Sequence, residues 1–233
     1  MTSLLQRWVT EQAERRPDAT AVVMHGARLT YEELDASSNR LARTLKAAGC
    51  EQGDRVGLML AKSPLAIVSM VGTLKADCTY VPLDPSSPAP RVAKIVESAE
   101  PRVILAEARA ASLLSTLLSN TRLRSSIALG WVDSDRTRGQ AFNPTFSLED
   151  VERAPSDPLD YRNGPAHPAH ILFTSGSTGM PKGVVIQHSN VIHFVEWARR
   201  YFNLGPTDRI SGHPPLHFDL STFDVFGTFA SGG

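Results

Sequence analysis

The sequence has no net charge to offer a partner: 24 Lys and Arg balance 24 Asp and Glu. That balance speaks against a strongly basic nucleic-acid binder and against a polyanionic tail. Cysteine is scarce, with only Cys50 and Cys78. Two thiols make no disulfide scaffold and fit a reducing compartment. Long hydrophobic runs are lacking as well. The longest apolar stretch, Leu65 to Leu74, is interrupted by Ser69, Gly72 and Thr73 and is about half of the ~20 residues a membrane span needs. Met1 to Asp18 carries scattered charges and no continuous apolar core, unlike a secretory leader. The expected location is cytoplasmic, with neither a membrane nor nucleic acid as partner.

What is present is an ordinary globular composition, 42% hydrophobic and 21% charged, which excludes disorder over the whole length. Leu4, Leu5, Trp8, Val9 and Ala13 fall at helical spacing, and Pro17 ends that helix. Short strands are expected over 21–24 and at Arg28-Leu29, with a turn at His25-Gly26. Thr30 and Glu33 have the spacing of a capping box. The helix after them carries Leu34, Leu41 and Leu45 on one face and stops at Gly49. A strand over 55–60, a helix opened by Pro64 and a strand over 79–83 follow. Pro82 suggests that this last strand lies at an edge or ends early. A helix over 91–99 and a strand over 102–105 complete the pattern. Strands alternating with helices imply an α/β fold, a mostly parallel sheet flanked by helices.

From Asp133 to Pro168 the pattern degrades under five prolines. A long surface connection is expected there, with a strand over 127–132 at its start; a mobile interdomain linker is the alternative. The chain closes on an apolar helical pattern, Phe223, Val225, Phe226 and Phe229, followed by Ser-Gly-Gly. Those aromatic residues have no later sequence to cover them, so 1–233 is expected to be an incomplete N-terminal domain.

The most informative segment runs from Ile171 to Ile186. Two apolar, β-prone runs bracket Thr174-Ser175-Gly176-Ser177-Thr178-Gly179-Met180-Pro181-Lys182-Gly183. Glycines let backbone amides approach a ligand, hydroxyls add donors, and Lys182 adds a full positive charge. Such a loop suits a polyphosphate. It is not a Walker A loop, because Pro181 stands where the second glycine counted from Gly176 should be, and a strand rather than a helix follows. A flexible Ser/Gly linker is the plain alternative.

This segment resembles the phosphate-binding signature of the adenylate-forming superfamily, which includes acyl-CoA synthetases, firefly luciferase and the adenylation domains of nonribosomal peptide synthetases. Leu29 to Leu34, Leu74 to Pro85, and Phe218 to Ser221 resemble three further motifs of the peptide-synthetase members, in order, so the resemblance covers almost the whole chain. One departure is that Asp77 and Cys78 stand where the second motif has Gly or Ala, a charge beside a packed turn. The resemblance implies the N-terminal part of the large adenylate-forming domain, truncated. The later motifs, with an acidic residue for magnesium, a ribose-binding aspartate, a hinge and a small C-terminal lid domain with its catalytic lysine, are absent.

By that resemblance Thr174, Ser175, Gly176, Ser177, Thr178, Gly179, Lys182 and Gly183 hold the phosphates of ATP, with Lys182 and Thr174 the candidate catalytic residues. Mg²⁺ is expected as a cofactor, its ligands mostly outside this sequence, and no metal site is assigned within it. The resemblance also implies that Asp219 pairs with the α-ammonium of an amino acid, since a partly buried carboxylate offsets the cost of burying an ammonium. Phe218 flanks it. Leu220 and Phe223 match side-chain pocket positions, and core packing is their alternative role. A helix N-cap is the alternative for Asp219 or Ser221. His213 and His217 read as loop packing, since Pro214 and Pro215 preclude a helical His pair. His188 and His193 read as structural. The implied reaction joins an amino acid carboxylate to AMP, followed by transfer to the phosphopantetheine thiol of a carrier protein or carrier domain. A non-catalytic remnant or nucleotide-binding module is the alternative for this chain.

Overall fold

The computed structural model describes residues 4–119, 127–175 and 180–233. Helix α1 (Leu5–Arg15) precedes a small hairpin, β1 (Thr20–Met24) and β2 (Ala27–Thr30). The capping box then starts α2 (Tyr31–Ala47): the Glu33 N–H donates to Thr30 Oγ1 at 3.1 Å and the Thr30 N–H to Glu33 Oε2 at 2.8 Å. Strand β3 (Arg55–Met59) leads to α3 (Pro64–Lys75), whose N-cap Ser63 accepts from the Ala66 N–H. Next come β4 (Thr79–Pro82), α4 (Ala89–Ala99), β5 (Val103–Ala106), α5 (Ala111–Leu118) and β6 (Ala128–Trp131). Short elements α6 (Arg136–Gln140), β7 (Phe146–Ser147) and α7 (Leu148–Arg153) follow. The last part holds β8 (Pro168–Thr174), β9 (Lys182–Gln187), α8 (His188–Phe202), a π-helical turn over Phe223–Gly227, and α9 (Thr228–Ser231).

Seven strands form one sheet in the order β7-β6-β5-β3-β4-β8-β9. Every pairing is parallel except β8 with β9. A parallel sheet needs cover on both faces, and side-chain alternation supplies it. Val56, Leu58, Val103 and Leu105 face the layer of α1, α2 and α3. Met59, Ile104 and Ala106 face α4 and α5. Strand β4 is therefore interior, between β3 and β8, and not at an edge. Pro82 is tolerated because it is the last residue of the strand, where its missing N–H interrupts nothing.

The 133–168 connection does not follow its alternative reading as a free linker: β7 joins the sheet edge, and the tail of the connection is pinned to α2. Asn39 donates to the Ser156 carbonyl at 2.8 Å, and Arg43 to those of Asp157 and Pro158 at 3.1 Å. The closing aromatics do find cover, since Phe226 and Phe229 are buried and Phe229 meets Tyr31 edge-on at 6.1 Å.

Asp77 explains its own departure from the expected Gly or Ala. It lies in the left-handed region at φ 63°, where Asp is among the few residues besides Gly that fit. Its buried carboxylate accepts the N–H groups of Arg162 and Asn163 at 2.9 and 3.0 Å and meets Lys46 Nζ at 3.2 Å. An Asp77→Ala chain leaves two N–H donors unpaired and should lose at least ~2 kcal/mol. Asp77→Asn, which keeps an acceptor oxygen, should lose less than half as much; urea unfolding measures both.

Buried histidines add a pH dependence. His170 stacks on Tyr80 at 4.9 Å and neither ring nitrogen has a hydrogen-bond partner. His188 accepts from the Leu5 N–H. Burial pulls both down to about 4, each further lowered by a neighbouring histidine. The unfolded chain takes up these protons near pH 6.5 and the folded chain only near 4. Their contribution is thus complete above about 6.5 and is lost as pH falls toward about 4. Thermal melts should show that loss, and His170→Phe should shrink it.

Candidate functional site

The phosphate-suited segment closes the β8–β9 hairpin at the sheet edge. Thr174 pairs with Lys182 and Phe173 with Gly183. Thr174 Oγ1 donates to the Lys182 carbonyl at 3.5 Å, which leaves the Lys182 ammonium free of that contact. Thr174, Ser175 and Lys182 are all exposed. Gly176, Ser177, Thr178 and Gly179 lie outside the described residues. Gly183 has a packing reason: a Cβ there would stand 3.0 Å from both Ile171 Cγ2 and Phe173 Cζ. A Gly183→Val chain should push β9 off β8 at a cost of ~1–3 kcal/mol, read by denaturant unfolding and by faster amide exchange in the hairpin.

The second group, Phe218 to Phe223, sits on a turn before the π-helical segment. Helical hydrogen bonding begins at Ser221, so Asp219 and Leu220 precede the helix. The Asp219 carboxylate is exposed in this chain, not partly buried as the pairing argument expects, and accepts from the Leu220 N–H at 2.8 Å. Ser221 Oγ donates to the carbonyls of Phe218 and Leu216. Neither side chain caps the N–H groups of the first helical turn, so the capping alternative fails for both. Phe218 and Leu220 are more than half exposed. Phe223 is half-buried against α8, 6.2 Å from Phe194 and 5.7 Å from Phe202. Among the described residues no hydrogen bond, ion pair or ring contact joins the hairpin to this turn; α8 stands between them in the chain.

Two residues missed from the sequence hold the loop before Asp219, and a third, Asp84, stands beside it. Lys62, just past β3, donates to the carbonyls of Gly212, His213 and Pro214. The Asp224 carboxylate accepts the His213 N–H at 3.1 Å. Burial pushes Asp224 up, against the pull of that bond and of Lys62. Asp84 lines a cavity of about 80 Å³ with Lys62, Met70 and His217. Burial opposes its charge, but hydrogen bonds from Ser86 and Ser87 and the nearby His217 hold the carboxyl below its ordinary value. The only sequence signal for Lys62 was a lone cation beside the Ser-Pro of a helix start. Among the described residues no group of three or more His, Cys, Asp or Glu is placed to hold a metal, and no helix is long and apolar enough to cross a membrane.

Fold and hairpin together define an α/β protein that presents a phosphate-suited loop at one sheet edge. The chain belongs to the AMP-binding enzyme family, whose model matches residues 9–233. It is 38% identical over 204 residues to an L-proline--[L-prolyl-carrier protein] ligase of Streptomyces coelicolor, covering 88% of this chain and 38% of that protein. It is 35% identical over 222 residues to surfactin synthase subunit 2 of Bacillus subtilis, covering 95% of this chain and 6% of that one. Among solved structures, the nonribosomal peptide synthetase FmoA3 bound to AMPPNP matches at a TM-score of 0.79 and 36% identity, over 99% of this chain and 22% of that one. The N-terminal domain of FACL13 from Mycobacterium tuberculosis shares the fold at a TM-score of 0.87 and 24% identity, over all of this chain and 56% of that one. The chain thus spans well under half the length of these curated relatives.

Proposed function

We propose that this chain is part of an enzyme that uses ATP to activate an amino acid as its aminoacyl adenylate, for delivery to a phosphopantetheinyl carrier protein or carrier domain. The observation that carries this reading is the family match over nearly the whole chain, combined with an Asp at position 219 that leaves its carboxylate exposed. The prolyl-carrier ligase and the peptide synthetases among the relatives support an amino acid substrate and a carrier partner. The AMPPNP-bound relative supports ATP as the nucleotide.

The substrate carboxylate is already ionised and attacks the α-phosphorus, with pyrophosphate leaving, so no protein nucleophile is needed. The chain's own residues bind and orient. The Lys182 ammonium balances charge on the leaving phosphates, and the Thr174 and Ser175 hydroxyls donate to phosphate oxygens. Asp219 orients the amino acid through its ammonium, while Leu220 and Phe223 wall its side chain. The described residues do not by themselves make a Mg²⁺ site, so Mg²⁺ is assigned no ligand and no step here.

Amino-acid-dependent ATP–pyrophosphate exchange tests this in a polypeptide that carries the chain together with the remainder of the family's length. Lys182→Ala should lower exchange by ~10²-fold. Asp219→Ala should raise the KM for the amino acid by ~10- to 100-fold, the loss of a charged hydrogen bond. Exchange with fatty acids but no amino acid would overturn the assignment of Asp219.

A further inference from the structure

The two cysteines lie 28 positions apart in sequence, and the fold brings them side by side. Cys50 follows α2 and Cys78 stands between α3 and β4. Backbone bonds stitch these two turns together: the Gly53 N–H donates to the Asp77 carbonyl at 2.9 Å and the Thr79 N–H to the Asp54 carbonyl at 2.8 Å. Cys78 Sγ lies 3.5 Å from the carbonyl of Glu51, the residue next to Cys50. Cys78 Sγ also donates to the Ala76 carbonyl at 3.5 Å, each cysteine shifts the other's proton affinity, and neither is in a disulfide. Both are buried, Cys78 at 0% and Cys50 at 6% exposure, so Cys50 is the less enclosed of the two.

We propose that Cys50 and Cys78 form a reversible oxidation site, in which a peroxide converts the paired thiols to an intrachain disulfide. Their environments divide the labour. The neighbouring Cys78 holds Cys50 below the usual thiol range, against burial and Asp54 and with help from Arg102; Cys50 and burial push Cys78 up, and the carbonyls of Glu51 and Ala76 accept the Cys78 S–H. Cys50, the less enclosed, is therefore the attacking thiolate, and Cys78, whose S–H is held by two carbonyls, is the resolving thiol. The Cys50 thiolate attacks one oxygen of hydrogen peroxide, giving the sulfenic acid and hydroxide. Cys78 Sγ then attacks the Cys50 sulfur, forming the S–S bond and expelling the sulfenic oxygen, which takes the Cys78 proton to leave as water. Sulfur is oxidised, peroxide is reduced, and the hydroxide recovers a proton from solvent.

The bond would tie the end of α2 to the turn that holds Asp77, whose carboxylate meets Lys46 of α2 and the N–H groups of Arg162 and Asn163. The oxidation site thus touches the point where the connection before β8 is fastened.

The test treats the 233-residue chain with hydrogen peroxide, unfolds it, alkylates it and weighs it intact. The chain has no other cysteines, so the readout is direct. The expected product is a monomer two hydrogens lighter, with loss of both alkylation sites and their return after dithiothreitol. A Cys78→Ser chain should stop at a Cys50 sulfenic acid that dimedone captures, and a Cys50→Ser chain should leave Cys78 unoxidised. Two thiols still alkylatable in the wild-type chain after peroxide, oxygen added in place of hydrogen lost, or a disulfide-linked dimer would each overturn the proposal.

Discussion

The buried carboxylate of Asp77 is the constraint on which the second half of the chain depends. Its backbone takes a conformation that glycine would occupy with less strain, and its side chain gives that position a use glycine lacks. By accepting two consecutive N–H groups at Arg162 and Asn163 and facing Lys46, it fastens the end of a long connection to the α2–α3 layer. The residues that follow are thereby aimed at the sheet, where His170 of β8 lines up beside Tyr80 of β4. The hairpin can reach the edge only because its first strand is delivered there. A neighbouring buried pair supports the same layer: Lys75 Nζ lies 2.7 Å from both Asp35 Oδ1 and Asn39 Oδ1. Burial pulls Lys75 down to about 8 in spite of Asp35. Losing one partner of such a pair is costly, so it fixes how α2 and α3 meet.

The sheet sets the β8–β9 hairpin apart from the core strands. Strands β3, β4 and β5 are buried on both faces and committed to the core. Strand β9 reverses direction at the edge and keeps Val184 and Val185 about half exposed. The hairpin is anchored there through Thr174 opposite Lys182 and Gly183 against Phe173, while Lys182 stays exposed. Under the proposed function, that firm anchorage beside an exposed lysine is what stabilising a leaving pyrophosphate would require.

The turn that bears Asp219 is held differently. Lys62 collects the carbonyls of the preceding loop and Asp224 takes one of its N–H groups, so charges that belong to no motif set the path of the chain into that turn. On the far side, Phe223 rests on Phe194 and Phe202, and the face of α8 that carries them continues into exposed Trp197 and Tyr201. Leu220 and Phe223 were both open to a core-packing reading. The structure separates them, since Leu220 projects into solvent and Phe223 is half-buried among aromatic rings.

Local chemistry in the sequence was enough for the elements themselves: the capping box at Thr30 and Glu33, the helix opened by Pro64, the alternation of strand and helix, and the bracketed hydroxyl-rich loop with Lys182. These signals act within a few residues, and neighbouring residues carry them. Tertiary packing alone decided that β4 is interior despite Pro82, that the proline-rich connection contributes β7 and docks on α2, and that Phe226 and Phe229 are covered. It also decided that Asp77 holds residues 85 and 86 positions away in sequence, and that Cys50 and Cys78 lie on adjoining turns. The physical reason is common to all of these. A buried charge, a missing N–H or a thiol takes its meaning from partners brought in by other elements, and the identity of those partners is a property of the folded chain.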